Sequence, residues 1–224
     1  MNQTSGLGRS GLSAETMRLA QESARAIRLL DRDEPAPSDR VSALLEFVNP
    51  DGPRQPDNLR VVEEVQSWLE IYPDEWLPFF NETVAILTAK RSGLAEHTTS
   101  PSITDVMLAA TRSLIDDDRI PHTPTVVDIA CGTGALLASA AQVISARTGS
   151  SVEVLGSDIN EASVDAARRV LAFAKQPGIV HLGGTLDHDP FPDSAADLVI
   201  SDLPLNPRVA SDERRKYDPR FRFG

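Results

Sequence analysis

The chain has a single cysteine, Cys131, in 224 residues. That excludes an internal disulfide and any cysteine-cluster metal site, and it fits a reducing compartment. The four histidines, at 97, 122, 181 and 188, show no metal-ligand spacing, so no metal is expected. No apolar run approaches the roughly 20 residues that span a bilayer. The polar start "MNQTSGLGRSG" also lacks the apolar segment of a signal peptide. A cytoplasmic chain with no membrane association is therefore expected. Lysine is scarce, 3 of the 22 basic residues, and the formal net charge is -11. A chain of that charge does not coat nucleic acid by bulk electrostatics, because phosphate neutralisation needs clustered Lys and Arg. Any DNA contact is local or delegated. Residues 207–224 break the trend, with six basic side chains (Arg208, Arg214, Arg215, Lys216, Arg220 and Arg222) against three acidic ones. They read as a basic tail, either solvated or facing phosphate.

What is present suits a globular protein. With 41% hydrophobic residues, the chain can bury a core of one sizeable domain and a smaller one. Residues 1–12 are rich in Gly, Ser and Thr and are expected to be disordered. Helical spacing follows in "SAETMRLAQESARAIRLLD" behind a cap at Ser13, in "SDRVSALLEFV" capped by Ser38, and in "NLRVVEEVQSWLEIY" capped by Asp57 or Asn58. A fourth helix, "PDEWLPFFNETVAILTAKR", is expected to break at Pro78. Residues 13–95 thus read as a small all-α domain, with Trp68, Trp76, Phe79 and Phe80 as its core. From Ser100 the pattern changes. A capped helix, "SPSITDVMLAATRSLI", precedes the strands "TVVDIA", "SVEVLGSDI", "GIVHLG" and "ADLVIS", with helices "ALLASAAQVISAR" and "EASVDAARRVLAFA" between them. That alternation is the mark of a doubly wound, Rossmann-like α/β sheet, here over residues 96–206, with 207–224 as the start of a continuation.

The chemistry concentrates in "VVDIACGTGALL", where a strand ends at Asp128 and Gly132-Thr133-Gly134 lead into a helix. Glycines allow a tight turn and close approach of a ligand to the backbone, and the helix start offers unpaired N–H groups to an anion. The next strand ends in "GSDIN", with Asp158 lying 24 residues after Gly134, where a carboxylate can accept both hydroxyls of a ribose. Capping the following helix is the other role open to Asp158. The ligand suited to this pair of features is a nucleoside with an anionic group. A dinucleotide loop wants G-x-G-x-x-G, and Leu137 stands at its last position.

At these residues the sequence resembles the S-adenosylmethionine-dependent methyltransferases. "DIACGTGALL" is similar in particular to the N6-adenine DNA methylases, including the modification subunits of type I restriction systems. The resemblance implies S-adenosyl-L-methionine as cofactor and DNA methylation in restriction-modification or phage defence as the activity. It implies that Ser100 and Pro101 approach the methionine end of the cofactor. Asp128, Ala130, Gly132, Thr133 and Gly134 would shape its pocket, Asp158 and Ile159 would meet the ribose side, and Thr185 and Leu186 the adenine ring. Where relatives carry Gly-Asp-Ser/Thr-Leu, this chain has Gly184 in the acidic place, and Asp187 or Asp189 are the available substitutes.

The family's catalytic turn reads N/D/S-P-P-Y/F, and here it is Asp202-Leu203-Pro204-Leu205. Asp202 keeps the acceptor for the target amine and Pro204 keeps one proline. Leu203 and Leu205 lose the other proline and the aromatic face on which a flipped base stacks. Impaired or altered target binding is expected, and the active and retired forms of the enzyme both stay open. The family's sheet continues beyond this motif, so "ADLVIS" is expected to leave an exposed edge for self-association or a protein partner, with DNA reached through a specificity subunit or a missing C-terminal region. Two other functions remain: a non-catalytic cofactor-binding or assembly subunit, and a nicotinamide-dependent oxidoreductase, which Leu137 disfavours.

Overall fold

The computed structural model describes residues 13–30, 37–49, 59–88, 99–116, 121, 123–176, 178–184 and 190–203. The expectations for residues 1–12, for caps at Asp57 or Asn58, and for the tail at 207–224 lie outside them.

Four helices come first: α1 (Ala14–Leu30), α2 (Pro37–Val48), α3 (Leu59–Ile71) and α4 (Trp76–Thr88), the last entered through a 3-10 turn at Pro73–Glu75. Ser13 caps α1, its Oγ accepting the Thr16 N–H at 3.0 Å. Helix α2 starts one residue earlier than its expected cap, because Pro37 takes the first helical position with its φ already set, which leaves Ser38 inside the first turn. Pro78 does not interrupt α4. It is the third helical residue, where no N–H has an intrahelical acceptor to lose. The carbonyls at the other end of α4 are satisfied from outside, Ile86 by the guanidinium of Arg28 on α1 and Leu87 by that of Arg40 on α2. Phe79 and Phe80 are fully buried among Leu19, Ile27, Val41, Leu44 and Val65.

The second half is a parallel sheet. Strands β1 (Thr125–Asp128), β2 (Glu153–Asp158), β3 (Gly178–Leu182) and β4 (Leu198–Val199) run in the order β3-β2-β1-β4, every pair parallel. Helix α5 (Pro101–Asp116) precedes the sheet, α6 (Ala135–Thr148) joins β1 to β2, and α7 (Glu161–Phe173) joins β2 to β3. Strand β4 is shorter than the pattern "ADLVIS" suggests. Its ladder ends with the Ile200 N–H donating to the Val127 carbonyl at 2.9 Å, since β1 offers only four residues before turning into the glycine loop. The chain moves outward from β1 to β2 and β3, then crosses back to put β4 on the other side of β1. That reversal makes a crevice at the carboxyl ends of β1 and β4, where open α/β sheets hold their ligands.

Helix α6 is buried on nearly all sides, from Leu136 to Ala141 and again at Ile144, because it lies between the sheet and helices α4 and α5. Small residues on every face let both layers approach it. The helical half is bolted to this layer. Trp76 stacks on Phe173 of α7 with ring centroids 4.7 Å apart and an interplanar angle of 22°. The Asn81 amide donates to Ser139 Oγ of α6 at 3.1 Å. No helix among the described residues is long and apolar enough to cross a membrane.

Candidate functional site

Strands β1, β2 and β4 each deliver a carboxylate to the same end of the sheet: Asp128, Asp158 and Asp202. Their loops are tied to one another by hydrogen bonds. The Gly132 N–H donates to Asp158 Oδ2 at 2.9 Å, which fixes the glycine loop to the end of β2. The Cys131 N–H reaches the Ser157 carbonyl at 2.9 Å, and Ser157 Oγ donates to the Ile129 carbonyl at 3.2 Å. Asp158 Oδ1 takes the Asn160 N–H at 2.9 Å, and the Asp158 carbonyl takes the Gly183 N–H at 2.9 Å.

The cap of α7 is not Asp158. Asn160 fills that position in extended backbone, its Oδ1 accepting the N–H groups of Ala162 at 2.9 Å and Ser163 at 3.4 Å. Each Asp158 oxygen has accepted one backbone N–H and keeps a lone-pair direction for another donor. Beside it, Ile159 is 79% exposed, a large apolar side chain held in the open next to a carboxylate.

Gly132 and Gly134 both have left-handed backbone, φ +51° and +76°. They differ in what surrounds them. A Cβ on Gly132 would meet nothing within 4 Å, whereas one on Gly134 would lie 3.0 Å from Ala167 Cβ on α7. The first glycine therefore leaves open space beside the loop, and the second lets α6 start against α7. Thr133, between them, is buried, and Ala130 is half-buried.

Asp128 is almost wholly buried, 2% exposed. Its Oδ1 accepts the Ala130 N–H at 3.0 Å and Ser201 Oγ–H at 2.7 Å. Burial pushes its carboxyl up to about 6, opposed by the hydrogen bonds from Ser201 and Ala130 and reinforced by the charges of Asp158 and Asp202. Burial, with the Asp128 and Asp158 charges behind it, likewise raises the Cys131 thiol, so that cysteine is no nucleophile at neutral pH. The Asp128 shift has a consequence for stability. A proton is held more tightly in the folded chain than in the unfolded one, where the carboxyl titrates near 3.9. The stabilisation is present below about pH 4 and is lost as pH rises to about 6, amounting to about 3 kcal/mol. Asp128→Asn should remove it. Urea unfolding of both proteins from pH 4 to 7 should show the variant gaining on the native chain as pH rises, and a constant difference would contradict the assignment.

Ser100 caps α5, its carbonyl accepting the Thr104 N–H at 2.9 Å and its Oγ the Ile103 N–H at 3.4 Å. Helix α5 packs on α6, the helix that follows the glycine loop, and Pro101 is its first residue. Asp202 is half-buried and Leu203 is 55% exposed. Pro204, Leu205, Thr185, Leu186, Asp187 and Asp189 lie outside the described residues. Ser201 and Asn160 were not singled out by the sequence. The signal for Ser201 was a small polar residue beside an acid after a strand, and that for Asn160 was its place just before a helical pattern, where Asn is a good cap.

S-adenosyl-L-methionine fits this arrangement. The loop backbone is open at Gly132, a carboxylate with spare acceptor capacity stands at the end of β2 beside an exposed apolar side chain, and the surrounding carboxylates suit a cationic ligand. Comparison with known proteins agrees. Residues 126–217 match the methyltransferase domain family. A Listeria monocytogenes structure assigned to the class I S-adenosylmethionine-dependent methyltransferases superposes with a TM-score of 0.69 at 17% identity, covering 95% of this chain and 66% of that one. The methyltransferase subunit of a type I restriction-modification system from Streptococcus thermophilus superposes with a TM-score of 0.51 at 18% identity, covering 92% of this chain and 47% of that one. The chain thus spans less than two thirds of the length of either relative. No curated protein matches it in sequence. Residues 126–217 thus match the methyltransferase domain family, and the described residues of this half form a Rossmann-like parallel sheet, which implies S-adenosyl-L-methionine as the cofactor.

Proposed function

We propose that this chain is the cofactor-binding and amine-accepting part of an S-adenosylmethionine-dependent DNA methyltransferase that acts on adenine N6 in a restriction-modification or phage-defence system. The observation that carries the proposal is the joining of three strand ends at the crevice between β1 and β4. Asp158 holds the glycine loop through the Gly132 N–H, and Asp128 joins that loop to the segment leading into Asp202 through Ser201.

When bound, S-adenosyl-L-methionine supplies an electrophilic methyl group on a sulfonium. Gly132 gives it backbone room, Asp158 accepts its ribose hydroxyls, Ile159 covers an apolar face of the nucleoside, and ionised Asp128 favours its cationic end. Ser100, Pro101, Ala130, Thr133, Gly134, Thr185 and Leu186 complete the pocket in this reading. Asp202 accepts a hydrogen of the target amine, which localises the nitrogen lone pair for attack. With a net charge of -11, the chain leaves the grip on duplex DNA to a partner, a specificity subunit being the natural one.

The type I restriction neighbour supports DNA as the substrate class, and the retained acid and proline of the turn support an amine as the acceptor. Leu205 in the aromatic place supports a second reading, a cofactor-binding assembly subunit that transfers no methyl group. Calorimetry with S-adenosylmethionine and with NADH, followed by transfer of a labelled methyl group to unmethylated genomic DNA, separates them. The expected result is binding of the first ligand and not the second, with slow transfer that falls at least tenfold in Asp202→Ala. Leu205→Tyr should raise transfer about tenfold, because base stacking is worth about 1–3 kcal/mol. Transfer that survives Asp202→Ala would refute the acceptor role, and silence in all three proteins despite cofactor binding would favour the assembly subunit.

A further inference from the structure

The backbone ladder between β1 and β4 stops at the bond from the Ile200 N–H to the Val127 carbonyl. One residue later the chain is still tied to β1, now by a side chain. Ser201 Oγ lies 2.7 Å from Asp128 Oδ1, and that same oxygen accepts the Ala130 N–H of the glycine loop at 3.0 Å. A single buried oxygen thus takes one donor from the cofactor loop and one from the segment that leads directly into Asp202. Around it stand Cys131 from the loop after β1, Asp158 from the end of β2, and Asp202 from the segment after β4. An O–H donated to a buried carboxylate is among the stronger hydrogen bonds, because charge and low dielectric both favour it.

We propose that Ser201 is a positioning residue, whose hydroxyl on Asp128 holds Asp202 in register with the glycine loop. The proposal rests on the methyltransferase reading of the site for its purpose, and on geometry alone for its existence. It explains why β4 needs no longer backbone ladder. The segment that carries the acceptor is pinned by a side chain to the last residue of β1, whose carboxylate also holds the glycine loop. It also ties the two halves of the reaction to one group, so the ionisation of Asp128 reports on the position of Asp202.

The link predicts a pattern that a merely space-filling serine would not give. Removing the hydroxyl in Ser201→Ala takes away a bond that favours ionised Asp128, so its titration midpoint should move to higher pH. Ser201→Thr should restore it. The midpoint can be followed in the unliganded chain by carboxyl-carbon NMR. In the native chain, Asp202→Asn should lower that midpoint, because a neighbouring like charge is lost. In the Ser201→Ala background the same replacement should move it little, because Asp202 is no longer held beside Asp128. Equal shifts in the two backgrounds would overturn the positioning role.

Calorimetry supplies the second readout. S-adenosylmethionine should bind Ser201→Ala at least fivefold more weakly than the native chain at pH 6.5 and within twofold of it at pH 8.5. A uniform loss at all pH values, or none, would also overturn the proposal. If Ser201→Ala does not fold, Ser201→Cys keeps the volume with a weak donor and serves the same comparison. A native chain that fails to bind the cofactor at all would sink the methyltransferase reading, while the NMR comparison would still decide whether Ser201 ties turn to loop.

Discussion

Asp158→Ala should weaken S-adenosylmethionine binding by about tenfold to over a hundredfold. That range corresponds to the loss of charge-assisted hydrogen bonds to the ribose, worth roughly 1.5 to 3 kcal/mol. The structure adds a complication that makes the experiment more informative. Asp158 also accepts the N–H groups of Gly132 and Asn160, both at 2.9 Å, so its removal unpairs two loop donors as well as, on the proposed reading, the ligand's hydroxyls. Asp158→Asn separates these effects. The amide keeps one carbonyl acceptor and the volume, and so keeps part of the loop support, but it gives up the charge and the second acceptor. If the ribose contact dominates, the Asn variant should bind nearly as weakly as the Ala variant while melting close to the native temperature. If loop support dominates, the Asn variant should recover most of the affinity. An unchanged dissociation constant in Asp158→Ala would end the ribose assignment, whatever the melting temperature shows.

The same residue shows where sequence is legible and where it is not. That a strand ends at Asp158 and a helix follows could be read from "SVEVLGSDIN", because β-branched periodicity and Asx residues are local signals. Which acid or amide caps the helix could not, since Asp158 and Asn160 are both good caps and only the backbone, extended at Asn160 with φ -98° and ψ 117°, decides between them. The elements themselves were readable because each announces itself over a dozen residues. Pro78 misled because proline carries opposite meanings in the first turn and in the interior of a helix, and the start of α4 depends on a 3-10 turn that leaves no pattern. Least legible were the ties between distant segments. Ser201 and Asp128 are 73 residues apart, and Asn81 and Ser139 are 58 apart. A hydroxyl at either end has no periodicity, so only the folded register brings each to its partner.

The glycine loop offers the last test, because its two glycines should fail in different ways. At Gly134 a methyl group would sit 3.0 Å from Ala167 Cβ, 3.1 Å from Ala167 Cα and 3.4 Å from the Ala167 carbonyl oxygen. Two of those atoms are backbone of α7 and cannot rotate away. The left-handed φ of +76° adds strain of about 1–2 kcal/mol for any residue with a Cβ, and overpacking costs about 1–3 kcal/mol more. Gly134→Ala should therefore lose about 2–5 kcal/mol, a large share of the roughly 5–15 kcal/mol typical of a folded chain. Ala167→Gly should return only part of it, since the helix backbone still crowds the added methyl. At Gly132, φ is +51° and the added methyl meets nothing, so Gly132→Ala bears the conformational strain alone and should remain folded. Its methyl would instead occupy the open side of the loop, and cofactor affinity should fall at least tenfold. Urea unfolding and calorimetry on the two variants distinguish packing from binding. A native urea midpoint for Gly134→Ala would mean that neither backbone strain nor pressure from α7 acts there, and native affinity for Gly132→Ala would mean that the open side of the loop is not where the cofactor lies.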